Sequence, residues 1–171
     1  MSSETMSLFS PQLAERLDRL AAKYPSRRSA LVPMLLYAQD EVGYLSDAVI
    51  NEVAARIGIP ELEVRDVASY YSMLHMKPLG KYKVQVCTSV SCMLRGADEV
   101  YERFEKELGL EAGGVTPDGL FSLEKVECIG ACSWAPAIQV NYDFQEELTP
   151  ELVPGILGGY REKGQGKEPH A

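Results

Sequence analysis

Lys81-Tyr82-Lys83-Val84-Gln85-Val86 alternates polar and apolar side chains and runs directly into Cys87-Thr88-Ser89-Val90-Ser91-Cys92. Alternation with β-branched content is the pattern of a half-buried strand, so a strand is predicted to end at the first cysteine. Further on, Leu120 to Glu127 reads as a second strand and leads into Cys128-Ile129-Gly130-Ala131-Cys132. Each cysteine pair, Cys87-x4-Cys92 and Cys128-x3-Cys132, therefore stands in a short loop leaving a strand, with 35 residues between the pairs. Two neighbouring strand ends bring four thiols to one rim of a sheet.

The grammar around this core is α/β. A helix is predicted over Ala97 to Leu108, with Val100, Tyr101, Phe104 and Leu108 on one face and Gly109 at its end. Gly113-Gly114 and Pro117-Asp118-Gly119 punctuate a turn region. Ala137 to Val140 reads as a third strand. Thr149-Pro150-Glu151 opens a last helix, with Thr as cap and Pro in the first position. The order β, α, β, β, α suggests a small domain with a mixed sheet over residues 79–160. Residues 161–171, polar and Gly-rich from Lys163 on, are expected to form a disordered tail.

Residues 1–78 read differently, as an N-terminal helical region. Ser10-Pro11 is a helix start, followed by Leu13, Leu17, Leu20 and Ala21 at helical spacing. A second helix is predicted over Ser29 to Val42, with Pro33 near its first turn and Gly43 ending it. Ser46-Asp47 opens a third, whose stripe is Val49, Ile50, Val53, Ala54 and Ile57, closed by Gly58-Ile59-Pro60. A fourth runs from about Pro60 to Tyr70, offering Leu62, Val64 and Val67 to a core.

Composition limits what such a chain does. Of 171 residues, 46% are apolar and 25% charged, an ordinary globular balance. A net charge of −8 argues against unaided nucleic-acid binding, which needs clustered Lys and Arg. No apolar run approaches the roughly 20 residues that span a bilayer, so direct membrane insertion is not expected. The first residues lack the basic and apolar segments of a signal peptide, which points to the cytoplasm, where thiols stay reduced.

Four reduced cysteines in two short loops suit a 2Fe–2S cluster, which takes two thiolates per iron. Backbone N–H groups of residues 88–91 and 129–131 are candidates to face the sulfurs, Gly130 permits a close approach of backbone, and Arg95 can offset charge nearby. Structural zinc also takes four cysteines, with pair spacings of roughly two to four residues, and spacing alone does not exclude it. A dithiol redox pair is the remaining alternative, although no C-x-x-C occurs.

Several segments resemble the small 2Fe–2S subunit of NADH:quinone oxidoreductase, respiratory complex I. They are Pro60-Glu61, Val67-Ala68-Ser69-Tyr70-Tyr71, Gly80-Lys81-Tyr82, Val86-Cys87-Thr88, Ser91-Cys92-Met93-Leu94-Arg95-Gly96 and Thr116-Pro117-Asp118-Gly119. Val126-Glu127-Cys128-Ile129-Gly130-Ala131-Cys132, Ala135-Pro136 and Leu148-Thr149-Pro150-Glu151 complete the set. The resemblance implies a thioredoxin-like 2Fe–2S ferredoxin domain of α/β class preceded by a helical bundle. It also implies one 2Fe–2S cluster as cofactor, with Cys87 and Cys92 on one iron and Cys128 and Cys132 on the other.

The implied partner is the larger subunit that binds FMN and NADH, in a complex peripheral to the inner membrane on its cytoplasmic side. The chain itself has no G-x-G-x-x-G after a strand and no P-loop, so it is expected to carry electrons without oxidising NADH. The diaphorase module of an NAD-linked hydrogenase or formate dehydrogenase uses a related subunit and is the alternative host. A potential of roughly −400 mV or below is expected for all-cysteine ligation.

Other residues draw plainer expectations. Trp134, bulkier than the small residue the resemblance leads one to expect, and Met34, Met73 and Met76 are expected to fill core. Tyr24, Tyr37, Tyr44, Tyr70 and Tyr71 are expected to pack mainly among helices. His75 is expected at a surface, Glu127 as a solvated carboxylate at a strand end, and Pro136 is a candidate for a cis bond.

Overall fold

The computed structural model describes residues 8–110 and 114–165. The chain divides into two compact units between Pro78 and Leu79.

The first unit is helical. Helix α1 (Pro11–Ala22) starts where Ser10 accepts the Leu13 N–H at 3.1 Å, with Pro11 in the first position. Its inward face is Leu13, Leu17 and Ala21. A 3₁₀ turn at Arg27–Ala30 leads into α2 (Leu31–Val42), so the predicted second helix begins with a tighter turn. Gly43 ends α2 in the left-handed region, at φ +95°. Ser46 caps α3 (Asp47–Ile57), which buries all five residues of its predicted stripe. Helix α4 (Glu61–Tyr70) buries Val64 and Ala68 and leaves Leu62 exposed, contrary to the expectation for Leu62.

Buried residues of these helices form one core that includes Met34, Leu35, Leu45 and Ile50. At roughly 1.5–3 kcal/mol for each fully buried aliphatic side chain, this core is ample for a unit of its size. Gln39 is the polar exception, almost fully buried. Its side chain donates to the Met73 carbonyl at 2.9 Å and accepts the His75 N–H at 2.6 Å, tying the segment after α4 to α2.

Packing overturns several aromatic and methionine expectations. Met34 is core, and Tyr24 and Tyr37 pack against it. Tyr70, Tyr71, Met73 and Met76 are instead exposed. They lie at the end of α4 and on the segment beyond it, where, among the described residues, no further helix of this unit covers them.

The second unit is a five-stranded mixed sheet. Strand β1 (Tyr82–Cys87) lies at its centre, followed by a short helix α5 (Val90–Leu94) and α6 (Ala97–Leu108). Then come β2 (Gly114–Val115), β3 (Phe121–Val126), β4 (Ile138–Val140), β5 (Asp143–Gln145) and α7 (Val153–Gln165). The strand order is β2-β3-β1-β4-β5. β1 and β3 are parallel, with Tyr82 opposite Phe121 and Cys87 opposite Val126, and the other pairings are antiparallel. The connection between the parallel strands runs through α5, α6 and β2, as a crossover requires. Val84, Val86, Phe104, Phe121, Leu123, Ile138, Val153 and Leu157 make the core.

Three elements were not anticipated from sequence. The edge strands β2 and β5 are only two and three residues long. Gly114, expected in a turn, pairs with Leu123, while Gly113 lies outside the described residues. Helix α5 occupies what was expected to be a loop between Cys87 and Cys92. The last helix begins at Val153 rather than at Pro150, after a turn closed by the Leu152 N–H on the Thr149 carbonyl. It also continues through Gln165, so residues 161–165 are helical and not a disordered tail. The reason is tertiary: at Gly164 a Cβ would stand 2.9 Å from Leu120 Cδ1, and Lys81 Nζ donates to the Gly164 carbonyl at 3.4 Å. Residues 166–171 lie outside the described residues.

Candidate metal centre

The four cysteines reach one end of the sheet by two routes. Cys87 is the last residue of β1, and parallel pairing with β3 sets it beside Val126. The next residue closes that junction, since Thr88 directs both its N–H (2.9 Å) and its hydroxyl (3.1 Å) to the Val126 carbonyl. Two residues after Val126 comes Cys128, on the loop leaving β3. Parallel pairing, not the loops themselves, is what brings the two motifs to one rim.

Helix α5 then places Cys92. Cys87 and Cys92 are both buried, in a small cluster with Ala97 and Ala135 against which Ile129 packs. Ile129 lies within the second motif and Ala135 just after it, so the two motifs share this floor. Cys128 and Cys132 are exposed, and all four thiols are free. Cys132 opens a 3₁₀ turn, Cys132–Trp134. Gly130, at φ +83°, lets the loop between Cys128 and Cys132 fold back on itself, as anticipated from sequence.

Three of the cysteines sense one another. Burial pushes the Cys92 thiol above its usual range, helped by a hydrogen bond with Cys87 and by the proximity of Cys87 and Cys132, and opposed by a hydrogen bond from the Ala137 backbone. The Cys87 thiol donates to the Glu127 carbonyl at 3.8 Å, immediately before Cys128. Among the described residues, no group of three or more His, Cys, Asp or Glu is gathered closely enough to hold one metal ion. Cys132 adjoins Cys92 of the buried pair, and Cys128 is exposed.

The donor set nevertheless fits an iron–sulfur group. It comprises four thiols, two from β1–α5 and two from the loop after β3, with an apolar floor and a backbone N–H already directed at one sulfur. That donor, Ala137, was missed from sequence, because it follows the second motif and reaches Cys92 only through the pairing of β1 with β4. Thr88, expected to face the sulfurs, spends its N–H on Val126 instead.

Neighbouring residues divide between expectation and correction. Trp134 is 53% exposed and fills no core; its carbonyl accepts the Glu147 N–H at 2.8 Å. Val90, Met93 and Leu94 on α5 are exposed as well. Glu127 and Arg95 are exposed, His75 is half-buried, and the Ala135–Pro136 bond is cis.

The model of the thioredoxin-like [2Fe-2S] ferredoxin family matches residues 17–161, both cysteine motifs included. The chain belongs to the thioredoxin-like [2Fe-2S] ferredoxin family. Its cofactor is accordingly a single 2Fe–2S cluster, which sets aside the zinc and dithiol readings.

Two relatives of this ferredoxin-family chain cover most of its length, and both are named as single subunits of NADH-quinone oxidoreductase. The one from Rhizobium meliloti is 40% identical over 149 residues, 87% of this chain and 89% of that protein. The one from Thermus thermophilus is 44% identical over 148 residues, 85% of this chain and 82% of that protein. Among solved structures, an NAD+-reducing [NiFe]-hydrogenase shares the fold, with a TM-score of 0.70 at 18% identity. That match takes in 78% of this chain and 23% of the hydrogenase chain.

Proposed function

We propose that this chain is the electron-carrier subunit of an NADH:quinone oxidoreductase, with Cys87, Cys92, Cys128 and Cys132 as the ligands of its cluster. The observation that carries the reading is the convergence of the two cysteine motifs at the ends of the paired parallel strands β1 and β3, in a chain of the 2Fe–2S family. Identity of 40–44% to components of that oxidoreductase, over most of both chains, supports the host complex.

When bound, the cluster supplies one-electron chemistry. The chain's own residues ligate, shield and tune. Cys87 and Cys92 form the buried pair for one iron, and Cys128 and Cys132 the exposed pair for the other. Ala97, Ala135 and Ile129 exclude water from the inner side, while the Ala137 N–H offsets negative charge on sulfur. The partner is the larger subunit that binds FMN and NADH, and this chain receives single electrons from it. The complex is peripheral to the inner membrane on its cytoplasmic side; among the described residues, no helix is long and apolar enough to cross a membrane.

The test is low-temperature EPR of the anaerobically purified chain before and after dithionite, with iron and acid-labile sulfide analysis. A rhombic S = 1/2 signal appearing only on reduction, with equal iron and sulfide, is expected. Cys87→Ala is expected to abolish a stable cluster, and an unchanged visible spectrum in that variant would overturn the ligand assignment. Co-purification with the flavin-bearing subunit tests the host complex, and recovery instead with hydrogenase subunits would replace it.

A further inference from the structure

The outer side of α1 carries a cleft that cluster binding does not use. Its inner face, Leu13, Leu17 and Ala21, is spent on the helical core. Beside that face, Arg16, Arg19, Leu20 and Lys23 join Tyr37 of α2 in lining a cleft of about 330 Å³, with Leu20 and Tyr37 also packed against the core. That volume admits side chains of another molecule, lying near the lower end of ligand-binding clefts.

Its charge is opposite in sign to the net charge of the molecule. The chain has 25 acidic and 17 basic residues, so a cation here has carboxylates in surplus to pair with. Arg28, Arg103 and Lys125 each pair with one, and Arg56 and Arg65 with two. Among the described residues, neither Arg16 nor Lys23 forms an ion pair, and Arg19 reaches only Glu15, at 3.7 Å with both side chains largely exposed. Three cations are thus held on one side of a helix in an acidic protein with little neutralisation.

The cleft is also partly preorganised. The Arg16 guanidinium lies over the Tyr37 ring, 3.8 Å from its centroid. Stacking of this kind holds the guanidinium plane while leaving its in-plane N–H donors available to a carboxylate. Leu20 and the Tyr37 ring supply an apolar floor beneath the charges. Inorganic phosphate would use the cations and ignore that floor; an acidic peptide that also carries apolar side chains uses both.

We propose that the cleft lined by Arg16, Arg19, Leu20, Lys23 and Tyr37 docks an acidic segment of a partner polypeptide. The segment presents carboxylates to the three cations and an apolar side chain to Leu20 and Tyr37. This inference stands apart from the electron-transfer reading, since its residues and its test involve neither the cysteines nor the cluster.

The experiment is fluorescence polarisation with the full-length, cluster-loaded chain and a labelled peptide of alternating Glu and Leu. The same peptide with Gln for Glu and inorganic pyrophosphate serve as competitors. Binding of the Glu peptide that weakens steeply between 50 and 200 mM salt is expected, as is failure of the Gln peptide to compete. The double variant Arg19→Glu, Lys23→Glu keeps the Arg16–Tyr37 stack and alters only exposed side chains. It is expected to bind roughly tenfold or more weakly while its circular dichroism and thermal midpoint match the parent. Absence of binding, equal binding by the Gln peptide, unchanged affinity in the double variant, or complete displacement by equimolar pyrophosphate would each overturn the proposal.

Discussion

Replacing Gly80 with Ala should unfasten the start of the sheet. A Cβ at this position would stand 2.5 Å from Ser122 N and 2.6 Å from Phe121 O, and would overlap the Phe121 carbonyl carbon. These are backbone atoms of β3, not flexible side-chain ends. Ordinary van der Waals contact begins at 3.4 Å, so the two segments must part by about 1 Å to admit the methyl group. The Lys81 N–H to Gly119 carbonyl bond (3.0 Å) and the Tyr82 N–H to Leu120 carbonyl bond (2.8 Å) flank the contact. A further 1 Å carries both past useful hydrogen-bond length. Two lost bonds at about 1 kcal/mol each, with about 1–3 kcal/mol for overpacking, give a destabilisation of about 3–5 kcal/mol. For a unit of this size that lowers the thermal midpoint by roughly 12–40 °C. Urea denaturation of the full chain, followed by circular dichroism, reads it directly. Gly159→Ala is the control: it lies in α7 with nothing within 4 Å of an added Cβ, and should stabilise by about 0.5–1 kcal/mol. If Gly80→Ala costs less than about 0.5 kcal/mol, the close approach of Gly80 to β3 is wrong.

Three further outcomes are expected. Gln39→Leu removes both hydrogen bonds that brace Met73 and His75, and should cost about 2 kcal/mol in urea denaturation while speeding hydrogen exchange at the His75 amide. Asp118 accepts from the Thr116 hydroxyl and from the Leu120 N–H, which lower its carboxyl below the usual range. Its stabilising effect is therefore present above the ordinary carboxylate value near 4 and lost as pH falls through the lower folded value. The gap in thermal midpoint between the parent and Asp118→Ala should accordingly be widest near neutral pH and close toward pH 3; a gap constant with pH would contradict this. Trp134→Ala should change stability by no more than about 0.5 kcal/mol, because the ring is exposed and the hydrogen bond to Glu147 comes from the backbone. A loss beyond about 1.5 kcal/mol would place the ring in the core after all.

Much of this architecture is legible in the chain because local and global preferences coincide. Ser10 and Ser46 as caps, Gly43 and Gly58 as stops, and apolar residues at helical spacing make α1 to α4 readable one by one. The cysteine motifs are legible for the same reason, each attached to an alternating strand. What escapes has its cause elsewhere in the chain. β2 and β5 exist only through their partners β3 and β4, and α5 is five residues with no side-chain cap. Gly80 looks like any loop glycine until β3 is laid beside it. The Ala137 donor depends on the pairing of β1 with β4, a register that no local pattern carries. Tyr70, Met73 and Trp134 are apolar by composition and exposed in fact, because side-chain chemistry does not reveal whether a neighbour arrives to cover it.

The parallel pairing of β1 with β3 also sets an order of events during folding. The helical unit closes through packing between helices adjacent in sequence, the fast kind of contact. The Cys87 thiol meets the Glu127 carbonyl 40 residues further on, and the Lys83 N–H meets the Asn141 side chain 58 residues on. Such separations carry the loop-closure entropy that slows sheet formation. The rim that gathers the thiols is thus complete only when the slow half of the molecule has zipped. Any interval in which the helices have formed and the sheet has not would leave the four thiols apart, open to oxidants and stray metals.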